Sequence, residues 1–129
     1  MVIGFRVKDK ISRSIVIADL LPAGFEIETI LSHSDGRQGS TRSNGVQGAY
    51  DWAGRLTKPQ IAEKRDDRFV ASMTVSGSTT KSYKAAYVMR AVTPGDFVRP
   101  GVVIEDMYRA EDYGLSESGR IKISPRGTE

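Results

Sequence analysis

Ala62-Glu63-Lys64-Arg65-Asp66-Asp67-Arg68-Phe69-Val70-Ala71-Ser72-Met73-Thr74-Val75 runs from a dense block of charge straight into the clearest strand signal of the chain. Phe69, Ala71, Met73 and Val75 alternate with Val70, Ser72 and Thr74. A period of two puts one row on a core face and the other toward solvent, which is the pattern of a sheet. The six charges from Glu63 to Arg68 are nearly balanced in sign, so they suit mutual ion pairing better than a polyionic partner. Two readings of this block stand. One is a solvated turn leading into the strand, since charge runs are surface features. The other is a structural corner between two sheets, in which Asp66 or Asp67 is held by backbone amides and by Arg65, Arg68 or the more distant Arg90.

Outward from this stretch the chain continues as short extended runs. Ile3 to Lys8 alternates like an edge strand. Ser14 to Leu21 is rich in β-branched residues and stops at Pro22-Ala23-Gly24, after which Phe25 to Ile30 alternates again. Pro22 and Gly24 set a tight turn here, and Leu20, Leu21 and Phe25 are expected to fill core. From Leu31 to Gly54 the apolar pattern vanishes into Ser, Gly, Asp, Arg and Asn44-Gly45, which reads as a long exposed loop closed by Tyr50 and Trp52. After a turn at Gly77 to Thr80, Lys81 to Val92 is long enough for a central strand paired back onto Phe69–Val75, and Thr93-Pro94-Gly95 ends it. Asp96–Arg99 is short and extended. Val102 to Tyr108 forms a strand or irregular extension, Arg109 to Ser118 is polar and turn-rich, and Arg120 to Ser124 alternates once more. Six to eight strands with Pro and Gly punctuation, and at most a one-turn helix near Glu63 or Glu111, describe an all-β antiparallel sandwich.

The chain has 129 residues, enough for one domain with one ordinary core. At 39% hydrophobic and 27% charged it is globular in composition, and a net charge of +3 spread from Arg6 to Arg126 lacks the concentrated basic face of a nucleic-acid reader. With no cysteine, the chain can form neither disulfides nor thiolate metal sites. No run is long enough for a membrane helix, and Met1 to Lys10 carries charge where a secretory signal needs an apolar stretch. The expectation is either a cytoplasmic protein or a piece of a longer one.

Chemistry is sparse. His33 is the only histidine, within Ser32-His33-Ser34-Asp35, but residues adjacent in sequence do not converge as a catalytic triad, whose members come from separate segments. Asp66 and Asp67 are poor as a catalytic carboxylate pair, because neighbours on a strand point to opposite faces. No Gly-rich phosphate loop precedes a helix. No enzyme, metal site or cofactor is indicated.

Four phrases, in this order and spacing, give the chain a specific likeness. They are Ala18-Asp19-Leu20-Leu21-Pro22-Ala23-Gly24-Phe25-Glu26-Ile27-Glu28, Arg65-Asp66-Asp67-Arg68-Phe69-Val70, Tyr87-Val88-Met89-Arg90-Ala91-Val92-Thr93-Pro94-Gly95-Asp96-Phe97, and Glu105-Asp106-Met107-Tyr108. From about Ile15 to Ile123 the chain resembles the C-terminal macroglobulin-like domain of bacterial alpha-2-macroglobulins. The resemblance implies a domain cut from a very large periplasmic protein, anchored by an N-terminal lipid at the inner membrane, that traps proteases after they cleave a bait region. Its partners would be the other domains of the parent, target proteases reached through the parent, and cell-envelope proteins, with neither nucleic acid nor direct membrane insertion of this domain. In thioester-bearing members a Cys and a Gln of a separate helical domain form the reactive bond, and the C-terminal domain covers it. This chain has no cysteine, so that bond is not here, and the loop ending in Gly48-Ala49-Tyr50-Asp51-Trp52 is closer to the subgroup without it. Glu105, Met107 and Tyr108 correspond to the part that faces the thioester domain. They are either apolar contacts covering that neighbour, with Glu105 beside them, or ordinary strand residues, one in and one out. The competing readings are a stand-alone adhesion or ligand-binding sandwich using Tyr50, Trp52 and Tyr83, and, third, a hydrolase using His33.

Overall fold

A computed structural model describes residues 1–8, 11–31, 56–76 and 82–127. They form ten strands and, among the described residues, no helix: β1 (Val2–Arg6), β2 (Arg13–Leu20), β3 (Phe25–Leu31), β4 (Ile61–Lys64), β5 (Arg68–Val75), β6 (Ser82–Ala91), β7 (Gly95–Arg99), β8 (Val103–Asp106), β9 (Tyr113–Leu115) and β10 (Gly119–Ile123). Three antiparallel sheets result, with orders β4-β5-β2-β8-β9, β1-β6-β3 and β10-β7. This is the all-β antiparallel sandwich that the alternation predicts.

The core follows from parity. Phe69, Ala71, Met73 and Val75 of β5 are all buried, as are Ile15 and Ile17 of β2, and the opposite layer contributes Ile3, Tyr83, Ala85 and Tyr87. β2 is the axis of its sheet, paired along its whole length with β5 (Arg13 opposite Val75, Leu20 opposite Arg68) and on its other side with β8. Across the interior the rings of Phe69 and Tyr87 stack with centroids 4.8 Å apart. Burying two aromatic rings against each other supplies area and a favourable offset geometry together.

The segment 82–91 is central, as expected, but its partners are β1 and β3 and not β5. β5 and β6 are consecutive strands that turn their apolar rows toward each other from opposite sheets, so they meet through side chains rather than through backbone hydrogen bonds. Two strands exceed the sequence reading. β4 carries Glu63 and Lys64 with little apolar alternation, and β9 exposes all three of its residues. Glu63 is thus in a strand and Glu111 in a turn, with no helix at either. Leu21 is buried but Leu20, also expected in the core, is 40% exposed, because Leu20 takes the outward parity of β2.

The turn after β2 carries the chain from one sheet to the other. Phe25 N–H donates to the carbonyl of Pro22 at 3.1 Å, Leu21 N–H to Asp67 O at 2.8 Å, and Val92 N–H to Gly24 O at 2.8 Å. Gly24 is here because there is no room for a side chain. A Cβ on it would overlap the ring of Phe97 and come within 2.8 Å of the Ile123 Cδ1. Those residues belong to β7 and β10, so the two-stranded ribbon is seated against the same turn. On the β3–β4 side, the register of β3 shifts between Ile27 and Thr29, and the carbonyl of the intervening Glu28 accepts a 3.5 Å bond from Lys64 Nζ.

Candidate functional site

Among the described residues, a densely hydrogen-bonded surface lies where β8 ends. Asp106 is the last residue of β8, opposite Ile15 of β2, and its side chain is 7% exposed. A carboxylate this sheltered requires partners on both oxygens. Its Oδ1 accepts the backbone N–H groups of Tyr108 at 2.9 Å and Arg109 at 3.2 Å, an Asx-type turn in which the side chain replaces a backbone acceptor. Its Oδ2 accepts Arg13 Nη1 at 2.9 Å, and the same nitrogen reaches Asp112 Oδ2 at 2.7 Å. The N–H of Tyr108 first, and then Arg13, hold the Asp106 carboxyl below the usual carboxylate range against the opposing cost of burial.

The backbone closes the same turn. Asp106 N–H donates to Asp112 O at 3.0 Å, Asp112 N–H to Arg109 O at 2.9 Å, and Met107 N–H to Ser14 O at 2.9 Å. The outcome is a pinned loop that directs two large side chains into solvent, Met107 at 54% and Tyr108 at 84% exposure. The expected strand therefore ends at Asp106, and the one-in, one-out alternative fails because neither Met107 nor Tyr108 belongs to a strand. Glu105, also exposed, sits on β8 directly opposite Tyr113, which is itself 68% exposed.

The charged block takes a different form from the expected corner between sheets. Glu63 to Arg68 is the tip of the β4–β5 hairpin, inside a single sheet, closed by Arg65 N–H donating to Arg68 O at 2.8 Å. Asp67 and Arg68 form a two-bond pair of 3.0 and 2.9 Å, Arg65 lies 3.4 Å from Glu63, and Asp66 is exposed. The hydrogen bond from Arg68 holds the Asp67 carboxyl below its ordinary range, so it is not a poised acid. Arg90 is not a member of the corner. It faces Glu26 across the β3–β6 pair at 3.5 Å. The aspartate held by backbone amides and an arginine does exist, but it is Asp106.

Tyr83 is unavailable as a binding surface, because it is 8% exposed and stacks on Phe5 at 5.5 Å. Tyr50, Trp52 and His33 lie outside the described residues. Among the described residues no group of three or more His, Cys, Asp or Glu is placed to hold a metal ion. A buried polar pair escaped the sequence reading. Asp19, 1% exposed, accepts a 2.7 Å bond from the Tyr87 hydroxyl between the two sheets. Burial pushes the Asp19 carboxyl up, opposed by the Tyr87 hydroxyl and the Arg99 charge, and burial likewise pushes the Tyr87 phenol up. Its signal was parity: Asp19 follows Ile15 and Ile17 on the inward row.

Residues 2–111 match the family described as the bacterial alpha-2-macroglobulin MG10 domain, a span that includes the Asp106 turn and its two projecting side chains. Over 106 residues, 82% of this chain, the sequence is 34% identical to alpha-2-macroglobulin of Xylella fastidiosa strain Temecula1, of which it covers 6%. The fold is similar to Salmonella alpha-2-macroglobulin reacted with methylamine, with a TM-score of 0.69 and 25% identity over 96% of this chain and 7% of that one. It is also similar to trypsin-activated alpha-2-macroglobulin of Escherichia coli, with a TM-score of 0.68 and 26% identity over 96% of this chain and 8% of that one. The chain thus spans a small fraction of the length of the relatives it matches, and it belongs to the family of bacterial alpha-2-macroglobulin MG10 domains.

Proposed function

We propose that the chain is a non-catalytic docking module of a bacterial protease-trapping inhibitor, and that it binds a neighbouring domain of its parent through Met107 and Tyr108, with Glu105 at the edge of the contact. The observation that carries this reading is the exposure of two large apolar side chains on a loop pinned by the side chains of Asp106 and Arg13. Much of this pair's surface gains nothing from the domain's own core. Covering the exposed remainder with a partner would contribute at most about 1.5–3 kcal/mol per side chain, less for Met107, which is already partly covered. Met adapts to an irregular surface, and Tyr combines a broad ring with a polar tip, which suits a contact that must form and separate.

The module's action is mechanical. Cleavage of the parent by a protease changes the relative stability of two domain arrangements, and this surface contributes to the resting one. The trypsin-activated form of the Escherichia coli relative supports a parent that responds to proteases. The methylamine-reacted Salmonella relative supports a reactive bond in some parents, which would lie in another domain and be covered by this surface. The parent would act in the periplasm, anchored by its N-terminal lipid, and meet target proteases and envelope proteins there.

The test is the full-length parent carrying Met107→Ala and Tyr108→Ala. The resting form should become less compact in solution scattering and more readily cleaved by added trypsin, while thermal unfolding of this domain is unchanged. Wild-type compactness and wild-type cleavage rates in the double variant would remove the docking role.

A further inference from the structure

We infer that Asp106 is a positioning residue for the docking surface: its carboxylate, anchored by Arg13, fixes the backbone of Tyr108 and Arg109 and so sets the direction in which Tyr108 leaves the sheet beside Met107. The inference rests on the docking reading above and adds the device that makes that surface rigid.

Tyr108 is 84% exposed, so its own side chain has little within the domain to hold it, and what the fold sets is the direction of its Cα–Cβ bond, through the backbone. The two amides that follow Met107 share one acceptor. Asp106 Oδ1 accepts both the Tyr108 and the Arg109 N–H, while Met107 N–H is taken by Ser14 O of β2 at 2.9 Å. The division of labour between the two carboxylate oxygens matters. Oδ1 faces the turn and Oδ2 faces Arg13, whose side chain is itself only 12% exposed, so the carboxylate cannot rotate toward solvent without breaking an ion pair. Arg13 also reaches Asp112 at 2.7 Å, at the far end of the same turn. One guanidinium thus ties the beginning and the end of the loop to the first residue of β2. A loop fixed before docking loses less freedom on docking than a mobile one, so the brace converts directly into affinity for the neighbouring domain. The depressed pKa of Asp106 keeps the brace ionised under neutral and mildly acidic conditions.

A carboxylate that merely supported the fold would act independently of Tyr108, and a double-mutant cycle separates the two roles. In the full-length parent, trypsin cleavage of the resting form is measured for Asp106→Ala, Asp106→Asn, Tyr108→Ala and Asp106→Ala/Tyr108→Ala, with thermal unfolding followed alongside. Asp106→Ala should raise the cleavage rate about tenfold, as expected for loss of a preorganised contact. Asp106→Asn keeps an oxygen for the two N–H groups but loses the charge that holds Arg13, and it should fall between wild type and Asp106→Ala. On the Tyr108→Ala background, Asp106→Ala should add less than about twofold, because the side chain it positions is already gone. A full tenfold addition on that background would overturn the inference and leave the docking reading intact. No effect of Tyr108→Ala alone would overturn the inference, and the parent carrying Met107→Ala and Tyr108→Ala then decides the docking reading. If Asp106→Ala does not fold, the Asp106→Asn cycle with Tyr108→Ala decides by the same non-additivity.

Discussion

The hydroxyl of Tyr87, on the central strand of one sheet, donates a 2.7 Å hydrogen bond to the carboxylate of Asp19, on the central strand of the other. The two residues lie on opposite layers of the sandwich and are both about 1% exposed, so water cannot replace either partner. Removing the donor alone should therefore cost more than the bond itself is worth. Tyr87→Phe leaves a buried carboxylate with its partner missing, and urea unfolding should show a loss of about 1–3 kcal/mol. Adding Asp19→Leu to Tyr87→Phe should recover part of that loss, since an apolar pair leaves nothing unsatisfied. A double variant less stable than Tyr87→Phe would show that Asp19 is held by something other than this bond.

Asp19 and Asp106 should respond to acid in opposite senses. The folded-state pKa of Asp19 is raised by burial, so the folded state takes up this proton more readily than the unfolded one. The cost of the buried charge is present above the raised value and is relieved as pH falls toward the ordinary carboxylate value of about 3.9. The pKa of Asp106 is lowered, so its contribution is present above the ordinary value and is lost as pH falls through the folded one. Urea midpoints between pH 7 and 3 should show wild type gaining on Asp19→Asn as pH falls. Against Asp106→Asn, wild type should instead lose ground, chiefly at the acid end. Parallel curves for wild type and both variants would mean that neither carboxylate is perturbed by folding.

Much of the fold was legible because β2 and β5 carry the alternation that one buried face imposes, and β3 and β6 are extended runs bounded by Pro and Gly. β4 and β9 were not, since edge strands with exposed faces place no demand on side-chain type. The partner of β6 was illegible for another reason. Proximity in sequence suggests a hairpin with β5, but Phe69 and Tyr87 place the two strands face to face. At the site, the phrase Glu105-Asp106-Met107-Tyr108 was visible, yet only the fold brings Arg13 from 93 residues away to lock Asp106. The charged block drew attention by its density, and density of charge proved to mark a hairpin tip.

Gly24→Ala should unseat the β7–β10 ribbon. The added Cβ would enter the space of the Phe97 ring and approach Ile123 Cδ1, and a packed site resists even one methyl group. Destabilisation of about 1–3 kcal/mol is expected from overpacking of this kind. Hydrogen exchange should accelerate first at the amides of Val92 and Thr93, which donate to the Gly24 carbonyl at 2.8 and 3.3 Å. A second change, Phe97→Leu, should restore part of the stability by giving the methyl room. Uniform loss of protection across all three sheets would instead point to a global effect of the turn.

The hairpin tip from Glu63 to Arg68 should tolerate loss of its charges but not of its backbone donors. The Asp67–Arg68 and Glu63–Arg65 pairs are solvent-exposed, where ion pairs add little to stability and are screened by salt. Asp67→Asn, Arg68→Gln and Arg65→Ala should each leave the thermal midpoint close to that of wild type, at low and high salt alike. Arg65→Pro deletes the N–H that donates to Arg68 O at 2.8 Å and closes the hairpin. It should lower stability by about 1 kcal/mol or more, from the lost bond and the fixed proline ring together. The distinction also reaches the neighbouring turn, because Asp67 contributes its carbonyl to the Leu21 N–H at 2.8 Å whatever its side chain is. If the charge-neutral variants were destabilised as strongly as Arg65→Pro, the side-chain pairs and not the backbone would be what holds this hairpin tip.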